Sequence, residues 1–372
     1  MELNLLNIAI YLYAPLCIVF SVLWVSKLSK KTKSSKNHLP FSILIPVRNE
    51  AKNIERLISS IIALNYPKDK YELILIDDYS EDDTQSLAEK SLSQSGLNYL
   101  IIKNDITNGS PKKRAITKAI ELAKYEHIIC TDGDCEIPKN WLNSFNKIYE
   151  QNDAMFVSGP VTFLEPSESS FWRVLWNRLQ VVEFASLVGA GASAIWLKSP
   201  NMCSGANISY TKSAFRLVDG YTGNEQIASG DDEFLMHKIA AIDAEKIFYN
   251  ADQDAVILTN DQSNLKSFYS QRKRWAGKWT FYKSIVPKLL AIFIFGVNVS
   301  TIWAMFTLDF ETLTIRWIAE ILFLVPVLLF LKKWKEIWYI IPLQFIYPFY
   351  VLIFGMSSIQ KDSYTWKGRK LS

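Results

Sequence analysis

Residues 126–138 read EHIICTDGDCEIP, and an apolar run in this stretch ends at two closely spaced carboxylates. Residues 128–130 lead to Asp132 and Asp134, which are separated only by Gly133. Like charges this close repel each other, so solvent, a cation or a catalytic role is needed to make the pair tolerable. The stretch therefore predicts a buried strand whose carboxyl end is a candidate functional site.

Two other apolar stretches end in the same way. PFSILIPVRNE (40–50) and YELILIDDYSEDDT (71–84) each read as a strand ending in a polar loop and followed by a helix. Weaker signals predict a strand near 98–103, and PKKRAITKAIELAKY (111–125) predicts a helix. This alternation predicts an α/β fold, an open and mostly parallel sheet covered by helices. Ligands bind such sheets outside the carboxyl ends of the strands, where these acidic residues converge.

The ends of the chain are much more apolar than its middle. The chain has 372 residues, of which 49% are hydrophobic and 13% aromatic. Residues 5–25 carry no charge and are long enough to cross a bilayer as a helix, which predicts a retained anchor rather than a signal peptide. Three further apolar runs of near spanning length occupy 285–308, 313–331 and 337–356.

These patterns divide the chain into five segments. They are an N-terminal transmembrane anchor (1–26), a basic cytoplasmic linker (27–39), a globular domain (40–284), a C-terminal transmembrane region of two or three helices (285–357) and a basic tail (358–372). The pattern predicts an integral membrane protein, and the lysines that follow the anchor predict that the globular domain lies on the cytoplasmic side. Three C-terminal crossings would leave a basic tail outside, so the number of crossings stays open.

Several classes of function are excluded or disfavoured. The net charge of +4 owes much to the linker and the tail, so no nucleic-acid partner is implied. The chain lacks a G-x-x-x-x-G-K-[ST] phosphate loop, and GAGASA (189–194) lacks the strand that should precede a dinucleotide fingerprint.

Without a backbone cradle for phosphate, a diphosphate ligand needs a divalent cation as a bridge. Asp132 and Asp134 suit oxygen ligation of Mg²⁺ or Mn²⁺.

Five motifs occur in order and together carry a resemblance to a known family. SILIPVRNE, LILIDDYSEDDT, DGD, SGDDEFL and QRKRW resemble the motifs of family 2 glycosyltransferases, which have a GT-A fold with a Rossmann-like, mostly parallel sheet. QRKRW (271–275) is similar to the Q-x-x-R-W motif of the membrane-embedded branch, which includes ceramide glucosyltransferases and cellulose or hyaluronan synthases. The resemblance covers about residues 40–280.

The resemblance implies a UDP-sugar donor and a set of residues that bind it. Those nucleotide-sugar residues are Pro46, Arg48, Glu50, Asp77, Asp78, Lys112, Arg114, Asp132, Gln271, Arg274 and Trp275. It also implies that Asp132 and Asp134 hold the metal, with Asp134 the more direct ligand. Other interpretations stay open: Asp77 and Asp78 could cap a helix, and Lys112 and Arg114 could lie on a solvated helix face.

The resemblance also implies the catalytic and acceptor residues. In SGDDEFLMHK (229–238), Asp231 stands where the family usually has Glu, and Asp232 takes the position of the general base of an inverting transfer. The open alternative is a capping cluster at a helix N-terminus. The implied acceptor contacts are Gly205, Ala206, Asn207 and Trp275, and the resemblance also implies that Gln271 orients the acceptor end.

Membrane segments need an explanation in a glycosyltransferase, because soluble members of the family do without them. The layout resembles ceramide-glucosyltransferase-like enzymes, so the hypothesis is transfer of one hexose to a membrane lipid, with 171–197 guiding the lipid in the interface. The alternative is a processive polysaccharide synthase that elongates a glycan. Either acceptor would meet the enzyme at the lipid bilayer.

Overall fold

The computed structural model describes residues 7–28, 37–105, 109–227, 229–282, 284–357, 364–366 and 369–371. Most of the predicted basic linker, with Lys30, Lys31, Lys33 and Lys36, and most of the predicted tail lie outside the described residues. The chain forms two compact units. Residues 165–193 and 261–284, predicted to be part of the catalytic domain, belong to the unit that contains the apolar terminal helices.

The strands are short and mostly apolar. In chain order they are β1 (Phe41–Val47), β2 (Tyr71–Asp77), β3 (Asn98–Lys103), β4 (His127–Cys130), β5 (Phe156–Ser158), β6 (Val161–Phe163), β7 (Ile208–Thr211), β8 (Ile247–Tyr249), β9 (Ile257–Thr259), β10 (Tyr364–Trp366) and β11 (Arg369–Leu371). The strands predicted within 40–50, 71–84 and 126–138 and near 98–103 are thereby confirmed.

Twelve α-helices occur among the described residues. They are α1 (Ile8–Leu28), α2 (Ile54–Ile62), α3 (Thr84–Ser93), α4 (Pro111–Leu122), α5 (Trp141–Gln151), α6 (Phe171–Trp196), α7 (Lys212–Leu217), α8 (Glu233–Asp243), α9 (Leu265–Ala276), α10 (Ile285–Phe306), α11 (Phe310–Phe330) and α12 (Ile340–Ser357). Helix α4 ends three residues earlier than the apolar pattern predicts, because the chain turns to an extended conformation at Ala123.

One seven-stranded sheet organises the first unit, which comprises residues 31–164, 194–260 and 366–372. Its order is β3-β2-β1-β4-β7-β5-β8, and all neighbours are parallel except β7, which is antiparallel to β4 and β5. This confirms the predicted open and mostly parallel sheet. In β1 and β2 nearly every residue is buried, as expected for central strands that helices cover on both faces. Because these strands are parallel, the carboxyl ends of β1, β2 and β4 lie at the same edge of the sheet.

The other unit contains the long apolar helices. Within the described part of the chain, five helical segments are long and apolar enough to cross a membrane, namely Ile8–Leu28, Phe171–Trp196, Ile285–Phe306, Phe310–Phe330 and Trp334–Ser357. The predicted N-terminal anchor and C-terminal runs are among them. Phe171–Trp196 was predicted as an interfacial stretch. Two-thirds of its most apolar stretch is buried inside the protein, a larger share than in the other four segments.

Small and polar side chains fit these helices together. A Cβ added at Gly189 of α6 would lie 2.7 Å from the ring of Phe323 in α11, and the Gly189 carbonyl accepts a bond from Trp24 Nε1 at 3.1 Å. The absence of a side chain at Gly189 thus allows the close packing of α6 on α11. In α11, the buried Arg316 donates to Glu320 at 3.0 Å and contacts α10, so this charge is paired within the apolar unit.

Candidate functional site

Arg48 fastens the loop that follows β2 to the end of β1. It is 4% exposed and donates from Nη1 to the carbonyl oxygens of Asp78 and Tyr79, at 2.7 and 2.6 Å. Its Nη2 pairs with Glu81 at 2.9 Å. The structure therefore gives Arg48 a positioning contact to Asp78, the residue predicted to bind the nucleotide. Pro46, another predicted contact, lies in β1 in register with Ile76 of β2.

Asp77 and Asp78 end β2 and are both buried. Asp77 accepts a bond from the backbone N–H of Ser80, and Asp78 Oδ1 accepts one from Asn104 Nδ2 at 2.8 Å. At the start of α3 it is instead the Asp82 carboxylate that accepts a hydrogen bond from the backbone N–H of Thr84, at 3.1 Å. Helix capping is thus not what holds Asp77 and Asp78 at this position.

The Asp132-Gly133-Asp134 turn packs against Glu50. A Cβ at Gly133 would lie 2.8 Å from Glu50 Cγ and 3.0 Å from Val47 Cγ1, so a larger residue between the two aspartates would force one of these side chains to shift. Burial, with the nearby Asp132 charge as a second cause, raises the pKa of Asp134 to about 6. The repulsion anticipated from the sequence is therefore present. A bound cation would relieve it.

Lys112, at the start of α4, joins two acidic motifs that lie a hundred residues apart in the chain. Its Nζ lies 2.8 Å from Asp132 Oδ1 and 3.1 Å from Asp231 Oδ2. Burial lowers the pKa of Lys112, but Asp132 and Asp231 outweigh it and hold the pKa above its usual value. The solvated-face alternative is therefore wrong for Lys112. Arg114 points elsewhere and donates to the Gly109 carbonyl at 2.9 Å.

Asp231 and Asp232 lie at the N-terminus of α8. Asp232 Oδ1 accepts from the backbone N–H of Glu233 at 2.8 Å, and its Oδ2 accepts from the N–H of Gly205 at 2.7 Å. A Cβ at Gly205 would lie 3.2 Å from Lys112 Nζ and 3.3 Å from an oxygen of each aspartate. Burial raises the pKa of Asp231, and Lys112 opposes that shift. Asp232 thus caps the helix and also belongs to the charged cluster.

The two residues that follow Gly205 are buried. Ala206 is 6% exposed and Asn207 is fully covered. Asn207 Nδ2 donates to the carbonyls of Pro160 and Ala255 at 2.7 and 2.8 Å, and its Oδ1 accepts from Trp141 Nε1 at 3.0 Å. These bonds commit both ends of the amide, which favours a structural role for Asn207 over the predicted acceptor contact.

Gln271, Arg274 and Trp275 lie on α9, in the unit that contains the apolar helices. Gln271 Oε1 accepts a bond from Arg272 Nη1, and the Arg272 guanidinium lies 4.3 Å from the centre of the Trp275 ring. The structure brings the acidic motifs, Lys112 and Gly205 together within the sheet unit. The predicted action of the α9 residues on donor and acceptor stays a prediction.

Three positioning residues escaped sequence reasoning. Arg56 Nη2 donates to the backbone carbonyl of Asp134 at 2.8 Å and so supports the turn. Lys113 is buried, and its Nζ donates to the carbonyls of Asn224 and Ile227 in the loop that precedes Asp231. Glu183 pairs with Arg272 of the Q-x-x-R-W box. Only Lys113 had a sequence signal, since it lies next to Lys112 in a basic helix start.

The carboxylates at this edge fit a divalent cation only as a partial ligand set. Among the described residues, no group of three or more His, Cys, Asp or Glu side chains is arranged to hold a metal. Mg²⁺ is commonly held by one or two carboxylates together with substrate phosphates, and Asp132 and Asp134 provide such a pair. The Asp134 carboxyl group fits this role because burial and the nearby Asp132 charge both raise its pKa, and a bound cation would offset both effects.

Comparison with known proteins gives a consistent result. The family model described as Glycosyl transferase family 2 matches residues 42–217. Glycosyltransferase AglE of Haloferax volcanii is 33% identical over 130 residues, which cover 35% of this chain and 42% of AglE. A poly-beta-1,6-N-acetyl-D-glucosamine synthase of Staphylococcus epidermidis is 25% identical over 260 residues, covering 68% of this chain and 59% of the synthase. The chain spans about half the length of the curated relatives it matches.

A solved structure shares the fold. The mannosyltransferase PcManGT from Pyrobaculum calidifontis, determined with GDP-Man and Mn²⁺, superposes with a TM-score of 0.52 at 15% identity. The superposition covers 95% of this chain and 96% of that one. The chain therefore contains a glycosyl transferase family 2 domain, matched over residues 42–217, with a GT-A fold.

Proposed function

We propose that the protein is an inverting, metal-dependent glycosyltransferase that moves a hexose from a UDP-sugar to a membrane lipid at the cytoplasmic face. The observation that carries the proposal is the double ion pair of Lys112. Through it, the Asp132-Gly133-Asp134 turn and the Asp231-Asp232 pair meet around one ammonium group. A donor-binding turn and a proton acceptor must be neighbours if a hydroxyl is to attack the carbon that carries the leaving group.

The donor half of the proposed site lies at the ends of β1, β2 and β4. We assign Asp77 and Asp78 to the uracil and ribose, and Pro46, Arg48 and Glu50 to the neighbouring nucleotide contacts. These assignments rest on the family resemblance, and the bonds from Arg48 to the carbonyls of Asp78 and Tyr79 support the placement of Asp78.

Asp132 and Asp134 would hold Mn²⁺ or Mg²⁺, as the presence of Mn²⁺ in the PcManGT complex suggests by analogy. The cation, when bound, neutralises charge on the UDP leaving group. Lys112 carries a positive charge next to Asp132 and adds to the attraction for the diphosphate. Arg274 would supply further charge-assisted hydrogen bonds to phosphate oxygens.

Asp232 is the proposed general base. Two backbone N–H groups, from Gly205 and Glu233, fix its carboxylate, so little reorientation is needed when it takes a proton. Asp231 would keep Lys112 in place beside it. Gly205 and Ala206 are the proposed acceptor contacts in the stretch that follows Cys203. Gln271 and Trp275 are proposed to border the acceptor end of the site.

The identity of the acceptor is the most specific part of the proposal. Five candidate membrane helices and the lysine-rich stretch after α1 support an enzyme held in the bilayer with its catalytic domain cytoplasmic. A second candidate is a processive glycan synthase, and the similarity to the Staphylococcus epidermidis synthase over 68% of this chain favours it. The two candidates share the same chemistry and differ in the number of sugars transferred.

The test uses the full chain, purified in lipid nanodiscs. Radiolabelled UDP-, GDP- and dTDP-hexoses are each supplied with Mn²⁺ and host lipids, and the products are separated by thin-layer chromatography and by gel. The proposal predicts one labelled lipid band with a UDP-sugar. A ladder of polymer would favour the synthase. Label that enters product only from a GDP- or dTDP-sugar would contradict the UDP donor.

A further inference from the structure

The Q-x-x-R-W box contains a second arginine that its motif does not specify. Arg272 lies on α9 between Gln271 and the defining Arg274, and it is 2% exposed although it is charged. A buried guanidinium needs a partner and fixed hydrogen bonds, because removing it from water is costly. The question is what this charge contributes in that position.

The partner of Arg272 is Glu183 on α6. Arg272 Nε donates to Glu183 Oε1 at 3.0 Å, and Nη2 donates to Oε2 at 2.5 Å, so the pair is bidentate. The Tyr350 hydroxyl of α12 donates to the same Oε1 at 2.9 Å. Glu183 is 4% exposed. The pair thereby ties α9 to two of the candidate membrane helices of its own unit.

The same guanidinium contacts two of the motif residues. Its Nη1 donates to Gln271 Oε1, and its plane lies 4.3 Å from the ring centre of Trp275 and 4.6 Å from that of Phe268. Arginine suits this double task, since its planar fork binds a carboxylate at two points and stacks on aromatic rings at the same time. Lysine has neither the plane nor the fork.

We infer that Arg272, fixed by Glu183, is a positioning residue that sets the side chains of Gln271 and Trp275 for the acceptor. This inference rests on the proposed function, in which these two residues border the acceptor end of the site and Arg274 binds the donor. The contacts of Arg272 are therefore with the acceptor-side members of the motif. Disturbing it should impair transfer without weakening the binding of the donor.

The test compares Arg272→Lys and Glu183→Gln with Lys266→Met, an exposed position on the same helix. For the first two variants we expect the kcat of sugar transfer to fall about 10- to 100-fold, the range that misplacement of a reacting group produces. The KM for the donor should stay within about twofold, and a larger share of UDP should be released by hydrolysis instead of transfer. Lys266→Met should match the wild type.

Two further measurements keep the inference separate from folding and from the proposed function. The double variant Glu183→Gln/Arg272→Lys should be no slower than either single variant, because the two residues act as one unit. Amide hydrogen exchange of residues 271–275 should accelerate in Arg272→Lys but not in Lys266→Met, and this readout needs no turnover. Unchanged exchange, or a donor KM that rises in step with the loss of kcat, would overturn the inference. A wild type without transfer would defeat the proposed function instead.

Discussion

Replacing Gly133 by alanine tests the packing that places the two aspartates of the Asp132-Gly133-Asp134 turn. The added Cβ would lie 2.8 Å from Glu50 Cγ and 3.0 Å from Val47 Cγ1, closer than side-chain atoms normally approach. Glu50 cannot simply swing away. It is 4% exposed, and its Oε2 accepts a hydrogen bond from Asn53 Nδ2 at 2.7 Å.

The expected cost follows from this geometry. Overpacking of a close-packed site typically destabilises by about 1–3 kcal/mol. A loss of about 2 kcal/mol corresponds to a decrease in Tm of roughly 4–8 °C for a unit of some 200 residues. A displacement of the aspartates approaching 1 Å would lower the transfer rate by up to about 100-fold.

The assay pairs thermal unfolding with transfer of labelled sugar. The matched control is Gly296→Ala, in the interior of α10, where an added Cβ meets nothing within 4 Å. Because alanine is the better helix former by about 1 kcal/mol, this control should not lower Tm. Combining Gly133→Ala with Glu50→Ala should restore part of the lost stability, since the closest contact is gone. A Gly133→Ala protein with the Tm and the transfer rate of the wild type would show that the turn tolerates a Cβ beside Glu50.

Three further predictions concern Asn207, Lys112 and the divalent cation. Asn207→Ala should lower the free energy of unfolding by at least about 2 kcal/mol in denaturant titrations, because buried groups such as Trp141 Nε1 lose their partners. Unchanged stability would contradict the structural role of this amide. Lys112→Met should lower the kcat of transfer by about 10-fold or more, and it should also lower Tm, because it leaves the buried Asp231 carboxylate without its ion-pair partner. A near-normal kcat would show that its charge is dispensable. EDTA should abolish transfer and added Mn²⁺ should restore it in the wild type but not in Asp134→Asn, and metal-independent transfer would rule out the cation.

Much of the sheet unit could be predicted because its signals are local. Apolar runs that end in acidic residues marked β1, β2 and β4, and helical spacing marked the elements between them. Three acidic motifs follow predicted strands directly, and this position was enough to predict that they meet at one sheet edge, because the carboxyl ends of parallel strands share an edge. The family resemblance then supplied roles for the residues.

Other features depend on tertiary contacts and left no readable pattern. Gly133 is required because Glu50 comes close from another strand end, and Asn207 is structural because three distant backbone and side-chain groups reach it. Residues 171–196 mix arginines and aromatics with an apolar run, so the sequence favoured an interfacial segment. Much of this helix is instead covered by protein, with Glu183 among its buried side chains.

The most direct test of the central claim is Asp232→Asn in the full chain. The amide keeps an oxygen for one backbone donor but cannot accept the acceptor's proton. We predict that donor binding, measured by calorimetry with UDP-sugar and Mn²⁺, persists while transfer of labelled sugar falls by at least about 1,000-fold. Asp153→Asn, whose side chain is 87% exposed, should transfer sugar like the wild type. Transfer by Asp232→Asn at a rate near that of the wild type would contradict the account.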